Sequence, residues 1–85
     1  MENQVTCIKT MYRSHEGITE LGGPGWRGTR QEVIQAINAG NVFYTFVGGQ
    51  RANVGIRTEA GKAPYLQTHA DGYWNNNLLA LSDCP

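Results

Sequence analysis

Net charge is the first thing this chain lacks. Seven acidic and seven basic side chains cancel, and charged residues make up only 16% of the sequence. Without a basic stripe to displace counterions, nonspecific binding to a DNA or RNA polymer is excluded. A few well-placed arginines still suffice for a small anionic ligand. No apolar run approaches the roughly 20 residues that cross a bilayer. The start, Met1-Glu2-Asn3-Gln4, lacks a basic segment followed by an apolar one, so neither a secretory leader nor a membrane partner is expected, and the cytoplasm is the expected compartment.

Cysteine is scarce as well. Cys7 and Cys84 are the two present, too few for a zinc site unless His15 and His69 join them, and the spacing is not that of a metal site. In the cytoplasm they are expected to be reduced and buried, the alternative being one disulfide that clamps the two ends of the chain. Catalytic signatures are missing too: there is no Gly-x-Ser-x-Gly, no Walker-type lysine and no paired carboxylates. His69 and Asp71 would share a face of an extended strand, but no serine or cysteine is placed for activation. The chain is therefore read as a non-enzyme that needs no cofactor.

Glycine, by contrast, is plentiful, with 11 among 85 residues. The length predicts a single domain over residues 1–85 with a marginal core. A small core, few charges and many glycines together favour a homo-oligomer.

Alternation predicts a first strand over Val5 to Tyr12, a polar turn through Gly17, and a short strand from Ile18 to Leu21. The run Gly22-Gly23-Pro24-Gly25 follows as a loop leading toward a helix. Thr29 with Glu32 is a capping-box pattern, so the helix begins at Arg30, and Gly40 is placed to stop it. Three further strands are expected: Asn41 to Val47, Arg51 to Ile56 and Arg57 after the Gly48-Gly49 turn, and Pro64 to His69. Asp71 to Asn77 reads as a loop. The expected order is β-β-α-β-β-β, an α+β domain with a small antiparallel sheet and one helix on a face.

Three clusters carry candidate ligand chemistry. Trp26 offers a π-face, Arg27 and Arg30 offer forks suited to phosphate, and Thr29 caps the helix beside them. A helix N-terminus attracts anions, and a cation in the first turn opposes the helix dipole unless an anion is bound there. The competing reading makes the glycine run ordinary turn chemistry and Trp26 a plug in the helix–sheet seam. The second cluster is His69, Trp74, Asn75 and Asn76, two ring systems beside amides able to read a base edge or a ribose hydroxyl. Its competing reading is an Asx-rich turn, and Asp71-Gly72 in particular reads as one. Tyr12 and Arg13 would form a third wall, with Arg51 added from the central hairpin.

Val5-Thr6-Cys7-Ile8, Trp26, Thr29-Arg30-Gln31-Glu32-Val33-Ile34, Gly40, Tyr65-Leu66-Gln67-Thr68, Asp71-Gly72, Asn76-Asn77-Leu78-Leu79-Ala80-Leu81 and Cys84 form a pattern that spans nearly the whole chain. It resembles a family of small domains of unknown function found in bacteria and their phages. In size, glycine loop and aromatic-plus-arginine composition the chain also resembles phage sponge proteins, small oligomers that sequester cyclic nucleotide signals of bacterial immunity. That resemblance implies a non-catalytic, anti-defence binder of a cyclic dinucleotide or cyclic ADP-ribose type of ligand, and it assigns no site residues. The other readings are a protein–protein module that inhibits a host protein, with Trp26, Tyr73 and Trp74 as anchors, and a small structural domain without a ligand.

Overall fold

A computed structural model describes residues 2–85. Nine strands and one helix occur among the described residues: β1 (Glu2–Gln4), β2 (Cys7–Thr10), β3 (Ile18–Gly23), β4 (Trp26–Thr29), α1 (Arg30–Asn38), β5 (Val42–Val47), β6 (Gln50–Arg57), β7 (Tyr65–Ala70), β8 (Tyr73–Asn75) and β9 (Ser82–Asp83). Single 3-10 turns cover His15–Gly17 and Leu78–Ala80. The α+β class holds, but the strands form two sheets rather than one. A five-stranded sheet runs β1-β5-β6-β7-β8 and a four-stranded sheet runs β4-β3-β2-β9. The β1–β5 and β2–β9 pairs are parallel and the other pairs antiparallel.

The division arises inside the first expected strand. The Val5 amide donates to Tyr44 O at 2.7 Å, and the next amide, Thr6, donates to Gly22 O at 2.8 Å. Two consecutive residues thus bond to different sheets, and the chain crosses from one to the other. Val5, 1% exposed, is buried at the crossing.

The glycine run is a hairpin. Gly23 pairs with Trp26 across Pro24-Gly25, and Gly25 has φ 77°, the left-handed geometry a tight turn requires. Strand β4 therefore separates the run from the helix, a strand that the expected loop had replaced. The helix begins as expected, with Thr29 Oγ1 accepting from the Glu32 amide and Glu32 Oε1 accepting from the Thr29 amide. Gly48-Gly49 and Asp71-Gly72 close the β5–β6 and β7–β8 hairpins, all four residues at positive φ as type I′ turns demand.

Ile8, Ile18, Leu21, Val33, Phe43, Val54, Leu66 and Leu78 join Val5 in one core, with Ile34 and Ile37 partly buried against it. Helix α1 contacts β3 and β4 of one sheet and β5 and β7 of the other. It covers their inner side and leaves the opposite face of the five-stranded sheet without a helix.

Cys7 and Cys84 are joined by a disulfide, which corrects the expectation of two reduced thiols. The cause is topological. The chain end returns to the open edge of β2, where Cys7 pairs with Ser82, and the Cys84 amide donates to Ile8 O at 2.9 Å. No helix of the described residues is long and apolar enough to cross a membrane.

Candidate functional site

The structure distributes the candidate residues over three places. Around β4 and the start of α1, the candidates are engaged by the protein itself. Trp26 Nε1 donates to Gln4 O at 3.1 Å, and its ring meets Phe43 edge-on with centroids 5.1 Å apart. It closes the seam between the sheets. Arg27 Nη2 donates to Pro85 O at 3.2 Å, and Arg30 Nη1 donates to Glu16 O at 2.8 Å. Thr29 and Glu32 already satisfy orphan amides of the helix start. A shallow hollow of about 210 Å³ lies between Trp26, Arg27, Glu32 and Ala36.

Tyr12 and Arg13 form the turn after β2, at φ 62° and 48°, a region that few non-glycine residues adopt. Tyr12 projects into solvent, 91% exposed. Arg13 reaches the chain end instead, donating to Leu79 O at 2.6 Å and to Asp83 Oδ1 at 3.4 Å.

The third place is the helix-free face of the five-stranded sheet. Strand register aligns Gln4, Tyr44, Asn53, His69 and Trp74 across all five strands. Alternation then puts Phe46, Arg51, Gly55, Arg57, Tyr65 and Gln67 on the same face. Trp74 and His69 meet edge-on at 5.3 Å between centroids. A β-carbon on Gly55 would stand 2.9 Å from His69 Cδ2 and 3.1 Å from Trp74 Cη2. The bare Gly55 backbone is the floor on which both rings rest.

Two guanidinium groups stand on the same face, one over Trp74 and the other over Tyr44. Arg57 Cζ lies 4.9 Å from the Trp74 ring centre, and Arg51 Cζ lies 4.1 Å from that of Tyr44. Arg57 also donates to Gln67 Oε1 at 2.9 Å and approaches Glu59 at 3.7 Å. Arg51 pairs with Glu2 at 2.7 Å and donates from Nε to Asn53 Oδ1 at 3.3 Å. Within the described residues the His69 imidazole and the Asn53 amide nitrogen donate to no protein group. A slot of about 190 Å³ opens beside His69, Gly72, Tyr73 and Trp74.

Of the expected residues, this face gathers His69, Trp74 and Arg51. Asn75 turns away: its Oδ1 accepts from Thr68 Oγ1 and from the Asn77 amide, tying β8 to β7. Asn76 contributes its carbonyl to the Leu79 amide. Tyr44, Asn53, Gly55 and Arg57 join them on this face, although residue type alone does not single them out. The signal for them is alternation, since residues 51, 53, 55 and 57 of one strand share a face.

Charge is concentrated at the far end of β7. Glu59 is held below its ordinary carboxylate value first by the Tyr65 hydroxyl, which donates to it at 2.5 Å, and then by Lys62. The same bond raises the Tyr65 phenol, and Glu16 with Glu59 raises Lys62. His15 is held below its ordinary value by burial and then by the Arg57 charge, and its Nε2 is buried without a hydrogen-bond partner. Among the described residues no three His, Cys, Asp or Glu side chains converge to hold a metal ion.

No curated protein and no solved structure matches the chain. The model of one family, described as proteins of unknown function (DUF3892), matches residues 4–82. That span covers nearly the whole domain, both sheets and the helix included, and the chain belongs to this family.

Proposed function

We propose that the chain is a non-catalytic binder of a small, flat, phosphate-bearing ligand of the nucleotide class, taken on the helix-free face of the five-stranded sheet. One observation carries the reading: Trp74 and His69 lie over Gly55 with a half-exposed arginine at each end of the row. A base would stack on Trp74, where an aromatic contact is worth about 1–3 kcal/mol. His69 and Asn53 would meet its polar edge. Strands β8 to β6 span about 10 Å at the ordinary spacing, so Arg51 beyond Asn53 would reach a phosphate on the same ligand. A cyclic nucleotide, with its bases and phosphates, fits this pattern of rings and cations, and a sequestering role needs no acid–base pair. Acting as a phage sponge in the bacterial cytoplasm, as an oligomer whose second subunit closes over the face, belongs to the same proposal.

The geometry shifts the weight among the residues. His69 and Trp74 remain open to a ligand, and Arg51 would exchange its pairing with Glu2 for a ligand phosphate, while Trp26, Arg27, Thr29, Arg30 and Arg13 bond within the chain. A second reading, direct binding of a host protein, is favoured by Phe46 at 58% and Tyr73 at 78% exposure, on or beside the same face. The two readings separate in a thermal-shift panel of cyclic dinucleotides, cyclic oligonucleotides, cyclic ADP-ribose isomers and linear nucleotides. Stabilisation by one of them, with the ligand recovered intact, supports the binder. A flat panel moves the weight to the protein partner.

A further inference from the structure

We propose that the Cys7–Cys84 disulfide is a thiol–disulfide exchange site that takes an external dithiol and latches the C-terminal strap to the edge of β2. Leu78 is fully buried and anchors the start of the strap. Beyond Leu81 the Cys84 side chain is itself buried, 6% exposed, so attack on its sulfur waits for the strap to fray, and few polar contacts oppose that fraying. They are the two-residue β9 ladder, the Cys84 amide on Ile8 O, the exposed Arg13–Asp83 pair at 3.4 Å, and Arg27 on Pro85 O. Exposed ion pairs and a ladder this short resist opening weakly, so the covalent bond dominates.

The surroundings of the sulfur favour exchange. A β-carbon on Gly22 would stand 2.9 Å from Cys7 Sγ and 3.0 Å from Arg27 Nε. Both atoms border one point above Gly22, which puts the guanidinium within about 6 Å of the sulfur, the range over which a cation favours a thiolate. Glu20, 3.9 Å from the same guanidinium and partly exposed, offsets part of that charge. In the exchange, a thiolate of the dithiol attacks Cys84 Sγ as the strap frays. The Cys7–Cys84 bond breaks, and Cys7 leaves as a thiolate facing Arg27. The reductant's second thiolate then attacks the mixed disulfide and releases Cys84. The protein disulfide gains two electrons and two protons, and the dithiol becomes a disulfide. Arg27 acts as a positioning residue, and the opened strap leaves β2 as an unpaired edge.

The experiment treats the oxidised full chain with dithiothreitol under native conditions and follows alkylation of the freed thiols together with amide hydrogen exchange. The expected result is reduction without unfolding, with the Cys84 amide losing protection while Phe43 and Val54 keep theirs. Arg27→Gln slows reduction by about threefold, the effect of one unit of leaving-thiol acidity at a Brønsted coefficient near 0.5, and Arg27→Lys restores the rate. The alkylation rate of reduced Cys7 also rises at higher pH in Arg27→Gln than in the wild type. Cys84→Ser reproduces the opened strap without a reductant. A disulfide inert to dithiothreitol until the domain unfolds, a Cys84 amide still protected after reduction or in Cys84→Ser, or equal rates in wild type and Arg27→Gln would each overturn the proposal.

Discussion

Gly55 lies beneath the Trp74 ring, so close that a β-carbon there would stand 3.1 Å from Cη2. That separation is tighter than ordinary van der Waals contact, and the same β-carbon would press on His69. Gly55→Ala is expected to lift both rings off the sheet and abolish ligand-induced stabilisation. The domain itself should change by no more than about 1 kcal/mol, because Trp74, 43% exposed, and the His69 ring beside it shift outward rather than into the core. Tryptophan fluorescence reports the displacement, and chemical denaturation reports the stability. Unchanged ligand response would remove Gly55 from the site.

Trp26 behaves differently. Its ring fills the seam against Phe43, and its indole N–H is the partner of Gln4 O. Trp26→Ala should cost about 3 kcal/mol, the toll of truncating a well-packed aromatic, and should lower the melting temperature whether or not ligand is present. A variant with unchanged stability but no ligand response would return Trp26 to the binding site.

The disulfide closes a loop of 77 residues, nearly the full chain. In the chain-entropy description such a cross-link stabilises by about 4.5 kcal/mol, a large share of what so small a domain possesses. Cys84→Ser should therefore shift the denaturant midpoint sharply downward while leaving a cooperative transition. An unaltered midpoint would show that the cross-link contributes nothing.

His15 supplies a pH dependence. Burial and the Arg57 charge hold its folded value below the unfolded 6.5, so the unfolded chain binds more protons in that window. Its contribution to stability is complete above 6.5 and is lost as pH falls through the folded value. The melting temperature should drop between pH 7.5 and pH 5.5 by more in the wild type than in His15→Gln. Equal drops would show that His15 does not titrate differently on folding.

How far the sequence discloses this depends on the range of the interaction. The Thr29–Glu32 capping box, the stop at Gly40 and the Gly48-Gly49 and Asp71-Gly72 turns are local, and each stands where its residue types demand. The split at Val5–Thr6 is not local: alternation continues unbroken through a residue pair whose amides serve two sheets. The Gly22 to Gly25 run carries glycine chemistry suited to a phosphate loop and to a hairpin alike, and only the pairing of Gly23 with Trp26 selects the hairpin. The disulfide depends on where residue 84 returns, which no spacing along the chain specifies. In the site, His69 and Trp74 stand out by residue type. Gly55 and Arg57 gain their meaning from strand register, because a floor exists only once β6, β7 and β8 are side by side.

The most direct test of the binding account is a thermal-shift comparison of wild type and Trp74→Ala across cyclic and linear nucleotides. The account predicts that one cyclic species stabilises the wild type, by about 2.7 kcal/mol at a hundredfold excess over its Kd. It predicts no stabilisation of Trp74→Ala, which keeps its own melting temperature. Equal stabilisation of both proteins, or of neither, would contradict it.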